Sequence, residues 1–137
     1  MPRAVLDTSV LVSALAGPGG PGAALLLELR AGAFELVVSP LLLSELREVL
    51  GRPKFRRYAT EAEAAACADL IRREATVLDD PAPGARPLSV DPGDEYLVDL
   101  ARAAAADALV SGDAHLLDLR DRLPVLTPAQ FLATLGD

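Results

Sequence analysis

Short apolar runs alternate along this chain with longer segments that carry helix start and stop signals, and this alternation restricts the fold most. The apolar runs, which we predict to be strands, are residues 3–6, 34–38, 76–78, 108–110 and 124–126. The predicted helices are residues 8–16, 23–31, 40–50, 60–74, 94–106 and 114–119, with a last helix after Thr127 and Pro128. Strands that alternate with helices form a mostly parallel sheet covered on both faces. The pattern therefore predicts an α/β fold, and we find no linker that divides residues 1–137 into separate domains.

Several helix ends are marked by residues with a known physical role. Ser39 followed by Pro40 is a favoured start, because the serine side chain caps the helix and proline fits its first turn. Thr60 and Glu63 have the spacing of a capping box. Gly32 suits the end of the preceding helix. Residues 79–90 contain three prolines and are predicted to form a loop.

Length and composition exclude several classes of protein. A chain of 137 residues, about half of them hydrophobic, can bury a core. The longest apolar stretches are broken by Ser, Pro and Glu well before they could span a membrane. An acid at Asp7 argues against a signal peptide. Because Cys67 is the only cysteine, no internal disulfide can form, and we expect a cytoplasmic protein without a membrane association.

Four carboxylates stand where the apolar pattern should not have them: Asp7, Glu45, Asp94 and Asp113. Burying an ionised carboxylate is unfavourable unless it is paired or binds a cation. The chain has one Lys, one His and one Cys, so nitrogen and sulfur partners are scarce. A hard divalent cation is the simplest partner, because Mg²⁺ and Mn²⁺ prefer oxygen ligands. The pattern therefore indicates a metal-dependent hydrolase.

The positions of these acids follow from the predicted elements. Asp7 and Asp113 come at strand ends, and the carboxyl ends of parallel strands meet at one edge of the sheet. Glu45 lies at the margin of the apolar face of its helix, and Asp94 lies within the apolar stripe of the later one. Asp7 and Asp113 also have an ordinary explanation as helix caps, and Asp94 has one as a first-turn acid. The four coincidences together favour a site, in which their carboxylates converge near enough to share a cation.

Basic residues are concentrated in one segment, which holds Arg52, Lys54, Arg56 and Arg57. The net charge of −7 argues against a general nucleic-acid binder, because phosphate contacts need cations. Taken alone, such a cluster is typical of a solvated loop after a helix. Beside a carboxylate site it becomes a candidate guide for RNA phosphates.

The order of these motifs resembles the PIN-domain family over nearly the whole chain. The resemblance rests on VLDTSVLVSA (residues 5–14), SELREVL with RPKF (44–50 and 52–55), DPGDEYL (91–97) and LVSGD (109–113). It is similar to the bacterial subgroup of toxin components from toxin–antitoxin pairs, related to VapC-type ribonucleases. The resemblance implies a three-layer α/β/α sandwich, Mg²⁺ or Mn²⁺ as cofactor, RNA as substrate, a cognate antitoxin as partner and a homo-oligomer, a dimer or higher.

The resemblance also implies roles for individual residues. Asp7, Glu45 and Asp94 are the implied metal ligands, and Asp113 is a more peripheral fourth acid. Ser9 and Ser111 match hydroxyl positions that hold a water or a carboxylate. His115 departs from the pattern of the subgroup and suits the surface, and Asp91 before Pro92 suits an outer or turn role.

Three other functions compete with a metal-dependent endoribonuclease. A phosphatase with an aspartyl nucleophile would carry a second Asp at position 9, where this chain has Ser9. A receiver-like signalling domain would need a lysine after Lys54, and there is none. A catalytically weak or inactive PIN-like module that binds another protein is the more serious alternative, and the complete set of four acids argues against it.

Overall fold

A five-stranded sheet with helices packed over it forms the frame of the molecule. The computed structural model describes residues 1–16, 19–82 and 94–136. Its strands are β1 (Arg3–Leu6), β2 (Glu35–Val38), β3 (Thr76–Val77), β4 (Ala108–Val110) and β5 (Val125–Leu126). Its helices are α1 (Thr8–Ala16), α2 (Pro21–Arg30), α3 (Pro40–Leu50), the 3₁₀ helix Pro53–Arg57, α4 (Glu61–Glu74), α5 (Glu95–Ala103), α6 (Ala114–Leu117) and α7 (Pro128–Leu135).

The strands lie in the order β3-β2-β1-β4-β5, and every neighbouring pair is parallel. Successive residues of the central strand β1, from Ala4 to Leu6, are all buried, as expected of a sheet covered on both faces. The predicted α/β fold with a parallel central sheet is therefore confirmed. Within the described ranges, no helix combines the length and the apolar character needed to cross a membrane.

Local start signals act as the sequence predicts. The Ser39 hydroxyl accepts a hydrogen bond from the Leu42 backbone amide, with Pro40 in the first turn of α3. Thr60 and Glu63 form the capping box of α4. Gly32 adopts a left-handed φ of 79°, which ends the α2 region without a steric penalty.

Several boundaries and one helix face differ from the predictions. Helix α2 begins at Pro21, two residues early, and α6 ends at Leu117. The basic segment forms a 3₁₀ helix where a loop was expected. Leu41 was assigned to the buried face of α3, but 53% of its surface is exposed. The buried face of α3 is formed instead by residues that include Leu42 and Leu46.

A polar network fastens the amino-terminal edge of the sheet. The Arg3 guanidinium lies 3.1 Å from a carboxylate oxygen of Glu35, and the Thr76 hydroxyl donates to the other oxygen at 3.0 Å. These hydrogen bonds, that of Arg3 first, hold the pKa of Glu35 below its usual value. The Arg3 backbone amide also donates to Asp107 at 2.7 Å. Side chains from both flanking regions thus fix the register of β1.

Candidate acidic site

Asp7 is a buried carboxylate at the carboxyl end of the central strand, with only 8% of its surface exposed. One carboxylate oxygen accepts a hydrogen bond from the Ser111 hydroxyl at 2.7 Å, and the other accepts from the Ser9 backbone amide at 3.1 Å. Among the described residues, no Arg, Lys or His forms an ion pair with Asp7. Within the part of the chain that the structure describes, its negative charge is therefore held by neutral donors alone.

Ser111 connects Asp7 to Asp113. The pairing of Leu6 with Val110 places the ends of β1 and β4 side by side, so the residues that follow the two strands are neighbours. The fully buried Ser111 hydroxyl donates to Asp7 and accepts from the Asp113 backbone amide at 3.0 Å. Asp113 itself caps α6, because its carboxylate accepts from the His115 amide at 2.8 Å. The His115 side chain is exposed.

Glu45 is reached by a residue that the sequence did not suggest. The half-buried Glu45 projects from the middle of α3 and accepts a hydrogen bond from the Tyr96 hydroxyl of α5. Burial is the main cause that raises the pKa of Tyr96 well above its usual value. The Glu45 hydrogen bond and the charges of Glu45 and Asp7 raise it further, and the Thr8 hydroxyl opposes them. Tyr96 thus keeps its proton and remains a donor to Glu45.

Asp94 occupies the cap position of α5, two residues before Tyr96. Its carboxylate makes no capping hydrogen bond, so Asp94 does not act as a side-chain cap of α5. The helix that follows packs against β1 and β4 through the buried residues Leu97 and Val98. Asp91, the other acid of this segment, lies outside the described residues.

The structure brings the predicted acids together in pairs. Ser111 joins Asp7 to the backbone of Asp113, and the Tyr96 hydroxyl joins Glu45 to the start of α5, which Asp94 precedes. Across residues 1–16, 19–82 and 94–136, however, no three His, Cys, Asp or Glu side chains are gathered closely enough to hold a metal ion. The donor chemistry fits a hard divalent cation, because the groups offered are carboxylate oxygens and the buried Asp7 has no cationic partner among the described residues.

The four basic residues of the 52–57 segment have different surroundings. Arg52, Lys54 and Arg57 are exposed. The Arg56 side chain is half-buried, donates to the Leu50 carbonyl at the end of α3 and lines a cavity of about 300 Å³ between α3 and α4. Two further guanidinium nitrogens, Nε and Nη1, are buried without a hydrogen-bond partner in the part of the chain that the structure describes. Arg56 is therefore tied to the fold, and the other three project from it.

Tyr96 is the residue that sequence reasoning missed. The only signal in the sequence was the position of this tyrosine in the first turn of the predicted helix, between Asp94 and the apolar residues Leu97 and Val98. A buried tyrosine hydroxyl normally finds a partner. The identity of that partner, Glu45, depends on the packing of α5 beside α3 and could not be read from spacing. Ser9, conversely, contacts Asp7 through its backbone amide, and its side chain is exposed.

Solved structures share this fold at low sequence identity. PAE2754 from Pyrobaculum aerophilum aligns with a TM-score of 0.69 and 19% identity, over 98% of this chain and 95% of that chain. VapBC2 from Rickettsia felis, bound to a DNA fragment from its promoter, aligns with a TM-score of 0.61 and 16% identity, over 91% of this chain and 98% of that chain. FitAB bound to the IR36 DNA fragment aligns with a TM-score of 0.59 and 18% identity, over 91% of this chain and 94% of that chain. These similarities support the arrangement of strands and helices described above.

The sequence itself matches a family model. No curated protein matches the chain significantly. The model described as the PIN domain matches residues 3–115, which include β1, β2, β4 and all four predicted acids. The resemblance noted from the motifs is thereby confirmed, and the chain belongs to the PIN domain family.

Proposed function

We propose that this protein is a metal-dependent endoribonuclease that acts as the toxin component of a toxin–antitoxin pair. PIN domains are in general nucleases that use divalent metal ions. The observation that carries the proposal is the buried Asp7 carboxylate at the end of the central strand, held only by neutral donors among the described residues. A buried carboxylate of this kind is suited to bind a metal cation, which would compensate its charge.

Asp7, Glu45 and Asp94 would hold Mg²⁺ or Mn²⁺, with Asp113 as a fourth, more distant acid. When bound, the metal ion supplies a water of lowered pKa and stabilises negative charge on the scissile phosphate. Ser111 fixes one oxygen of Asp7 and the backbone that carries Asp113, so it sets the distance between these two acids. Arg52, Lys54 and Arg57 are the exposed cations that would guide the RNA backbone toward the site.

The partners follow from the same proposal. VapBC2 and FitAB, which share the fold, are complexes bound to DNA fragments. We extend to this chain a cognate antitoxin that blocks RNA access and a homo-oligomeric assembly. Both extensions concern protein–protein binding, which can be measured separately from cleavage.

A second function is favoured by one specific observation. Tyr96 already engages Glu45, and no three acids are gathered among the described residues. A PIN-like module that binds a partner protein without cutting RNA would need no closer assembly. Measured cleavage in the presence of Mn²⁺ separates this alternative from the nuclease.

The decisive experiment replaces Asp94 by Asn and measures Mn²⁺-dependent cleavage of structured and unstructured RNA. Loss of one oxygen ligand should abolish cleavage. Melting temperature without metal should stay the same or rise, because removal of one negative charge from neighbouring acids relieves their repulsion. Asp99→Asn on the same helix is the matched control, since it removes the same charge away from the cap position.

The outcomes separate the hypotheses clearly. Cleavage by the wild type and the Asp99→Asn variant, but not by Asp94→Asn, supports the nuclease and the assignment of Asp94. Equal cleavage by wild type and Asp94→Asn would remove Asp94 from the metal ligands. A folded wild type that cuts no RNA with either Mg²⁺ or Mn²⁺ would instead favour the binding module.

A further inference from the structure

The hydrogen bond between Tyr96 and Glu45 joins two helices at the candidate acidic site. Glu45 comes from the middle of α3 and Tyr96 from the first turn of α5, 51 residues later in the chain. We propose that Tyr96 is a positioning residue that orients the Glu45 carboxylate for cation binding. This inference rests on the proposed nuclease function and assigns a role to a residue that the four-acid pattern does not contain.

Tyr96 is well suited to hold a fixed position. Its ring packs against the hydrophobic core, and the next two residues, Leu97 and Val98, are buried where α5 meets the sheet. A glutamate side chain has several rotatable bonds and loses much of its freedom when it is ordered. The anchored Tyr96 hydroxyl therefore restricts the Glu45 side chain before a cation binds.

The choice of a neutral donor matters for the charge of the site. Arg or Lys in the same place would orient Glu45 and also cancel its negative charge. The tyrosine hydroxyl occupies one carboxylate oxygen, Oε2, and adds no positive charge. The second oxygen and the full negative charge of Glu45 therefore remain for a cation. Ser111 acts in the same manner on Asp7.

The direct test measures Mn²⁺ affinity by calorimetry in the absence of RNA. Tyr96→Phe keeps the packed ring and removes only the hydroxyl. Loss of an outer hydrogen bond to a metal ligand should weaken Mn²⁺ binding about tenfold. The other tyrosine of the chain, Tyr58, is 52% exposed, so Tyr58→Phe is the matched control and should bind Mn²⁺ like the wild type.

A spectroscopic measurement tests the hydrogen bond itself. The chain has no tryptophan and two tyrosines, so Tyr96 is the sole emitting residue in a Tyr58→Phe background. A carboxylate that accepts from a tyrosine hydroxyl quenches its emission. Glu45→Gln in this background should therefore change Tyr96 emission, and Mg²⁺ should change the emission only while Glu45 is present. This readout does not require cleavage activity.

Each result has a defined meaning. Equal Mn²⁺ affinity of wild type and Tyr96→Phe would overturn the positioning role and leave the nuclease proposal intact. Unchanged Tyr96 emission in a folded Glu45→Gln variant would overturn it as well, even if Tyr96→Phe fails to fold. A wild type that binds neither Mn²⁺ nor Mg²⁺ would overturn the proposed function and this inference together.

Discussion

The treatment of buried charge at Asp7 explains much about the site. Removal of a carboxylate from water is unfavourable by several kcal/mol unless other groups replace the missing hydrogen bonds. Here the Ser111 hydroxyl and the Ser9 amide replace part of them and leave the charge in place. The protein can therefore fold with Asp7 buried, and the negative charge of Asp7 can still attract a cation.

Replacement of Ser111 by Ala should show how strongly this arrangement depends on one hydroxyl. Ser111 is fully buried, and its removal leaves one oxygen of Asp7 without its donor and the Asp113 amide without an acceptor. We expect the free energy of unfolding to fall by about 1–3 kcal/mol, as for other buried groups left unsatisfied. Urea denaturation would measure it. Ser44→Ala on the exposed side of α3 should change stability little; an equal reduction in both variants would contradict this account.

At the level of single residues, the sequence predicted positions better than contacts. Asp7 and Asp94 were selected because an acid interrupts an apolar pattern, and in the structure Asp7 is buried and Asp94 half-buried. Tyr96 was missed because its partner lies on another helix. Arg56 was grouped with the exposed cations, since only the packing of the 3₁₀ helix against α3 distinguishes it.

Among the elements, the end of α5 shows tertiary structure overriding local preference. The sequence offers four consecutive alanines, 103–106, and no stop signal, so a helix was predicted through residue 106. The helix ends at Ala103, and Ala105 takes a φ of 50°. The Ala106 amide then bonds to the Ala101 carbonyl, as in a Schellman motif. Asp107, which follows the turn, accepts a hydrogen bond from the Arg3 backbone amide of β1, so the turn leads the chain directly back to the sheet.

Ala105→Gly should therefore stabilise the protein. A left-handed conformation disfavours residues with a Cβ by roughly 1–2 kcal/mol, and glycine avoids this penalty. Its greater freedom in the unfolded chain offsets part of the gain, so we expect about 0.5–1 kcal/mol in denaturant unfolding. The control, Ala66→Gly at an exposed position in the middle of α4, should be less stable by about 0.5–1 kcal/mol. Destabilisation of both variants would argue against the strained turn.

The strand and helix pattern itself was largely predictable. Parallel strands buried on both faces are nearly continuous apolar runs, and Ser39 and Thr60 mark their helices through side-chain caps. The strand order was not predictable in the same way. Which strands become neighbours depends on how α1 to α5 pack over the sheet, and no local signal specifies that.

For the molecule as a whole, charge is distributed unevenly. A net charge of −7 repels RNA at most of the surface, and the exposed side chains of Arg52, Lys54 and Arg57 are a local exception. Arg52 is partly occupied, because its guanidinium lies 3.5 Å from Glu48 on the preceding turn. RNA binding should then depend strongly on salt and on this one segment.

Replacement of Arg52, Lys54 and Arg57 together by Gln should weaken RNA binding and flatten its salt dependence. For single-stranded RNA, the slope should fall by about 0.7 for each phosphate that the variant no longer neutralises. Melting temperature should change little, since exposed charges contribute little to stability. Titrations at several salt concentrations would measure the slope.

Arg56→Gln is the matched comparison within the same segment. It removes the donor to the Leu50 carbonyl and should reduce stability by about 1 kcal/mol. If the triple variant kept full RNA affinity with a normal slope, the substrate would enter elsewhere. If Arg56→Gln left stability unchanged, the hydrogen bond from Arg56 to α3 would not contribute to the stability of the fold.

The central place of β1 in the sheet also has a consequence for how the protein is made. A ribosome synthesises β1 before β4, with which it pairs on one side. Asp7 gains its hydrogen bond from Ser111 only after the chain has grown by another 104 residues. A nascent chain that lacks this distant half carries Asp7 and Glu45 but has neither Asp94 nor the serine that holds Asp7. Under the proposed function, a growing chain cannot attack the messenger or the transfer RNAs around it before the segment that carries Asp94 and Ser111 has emerged.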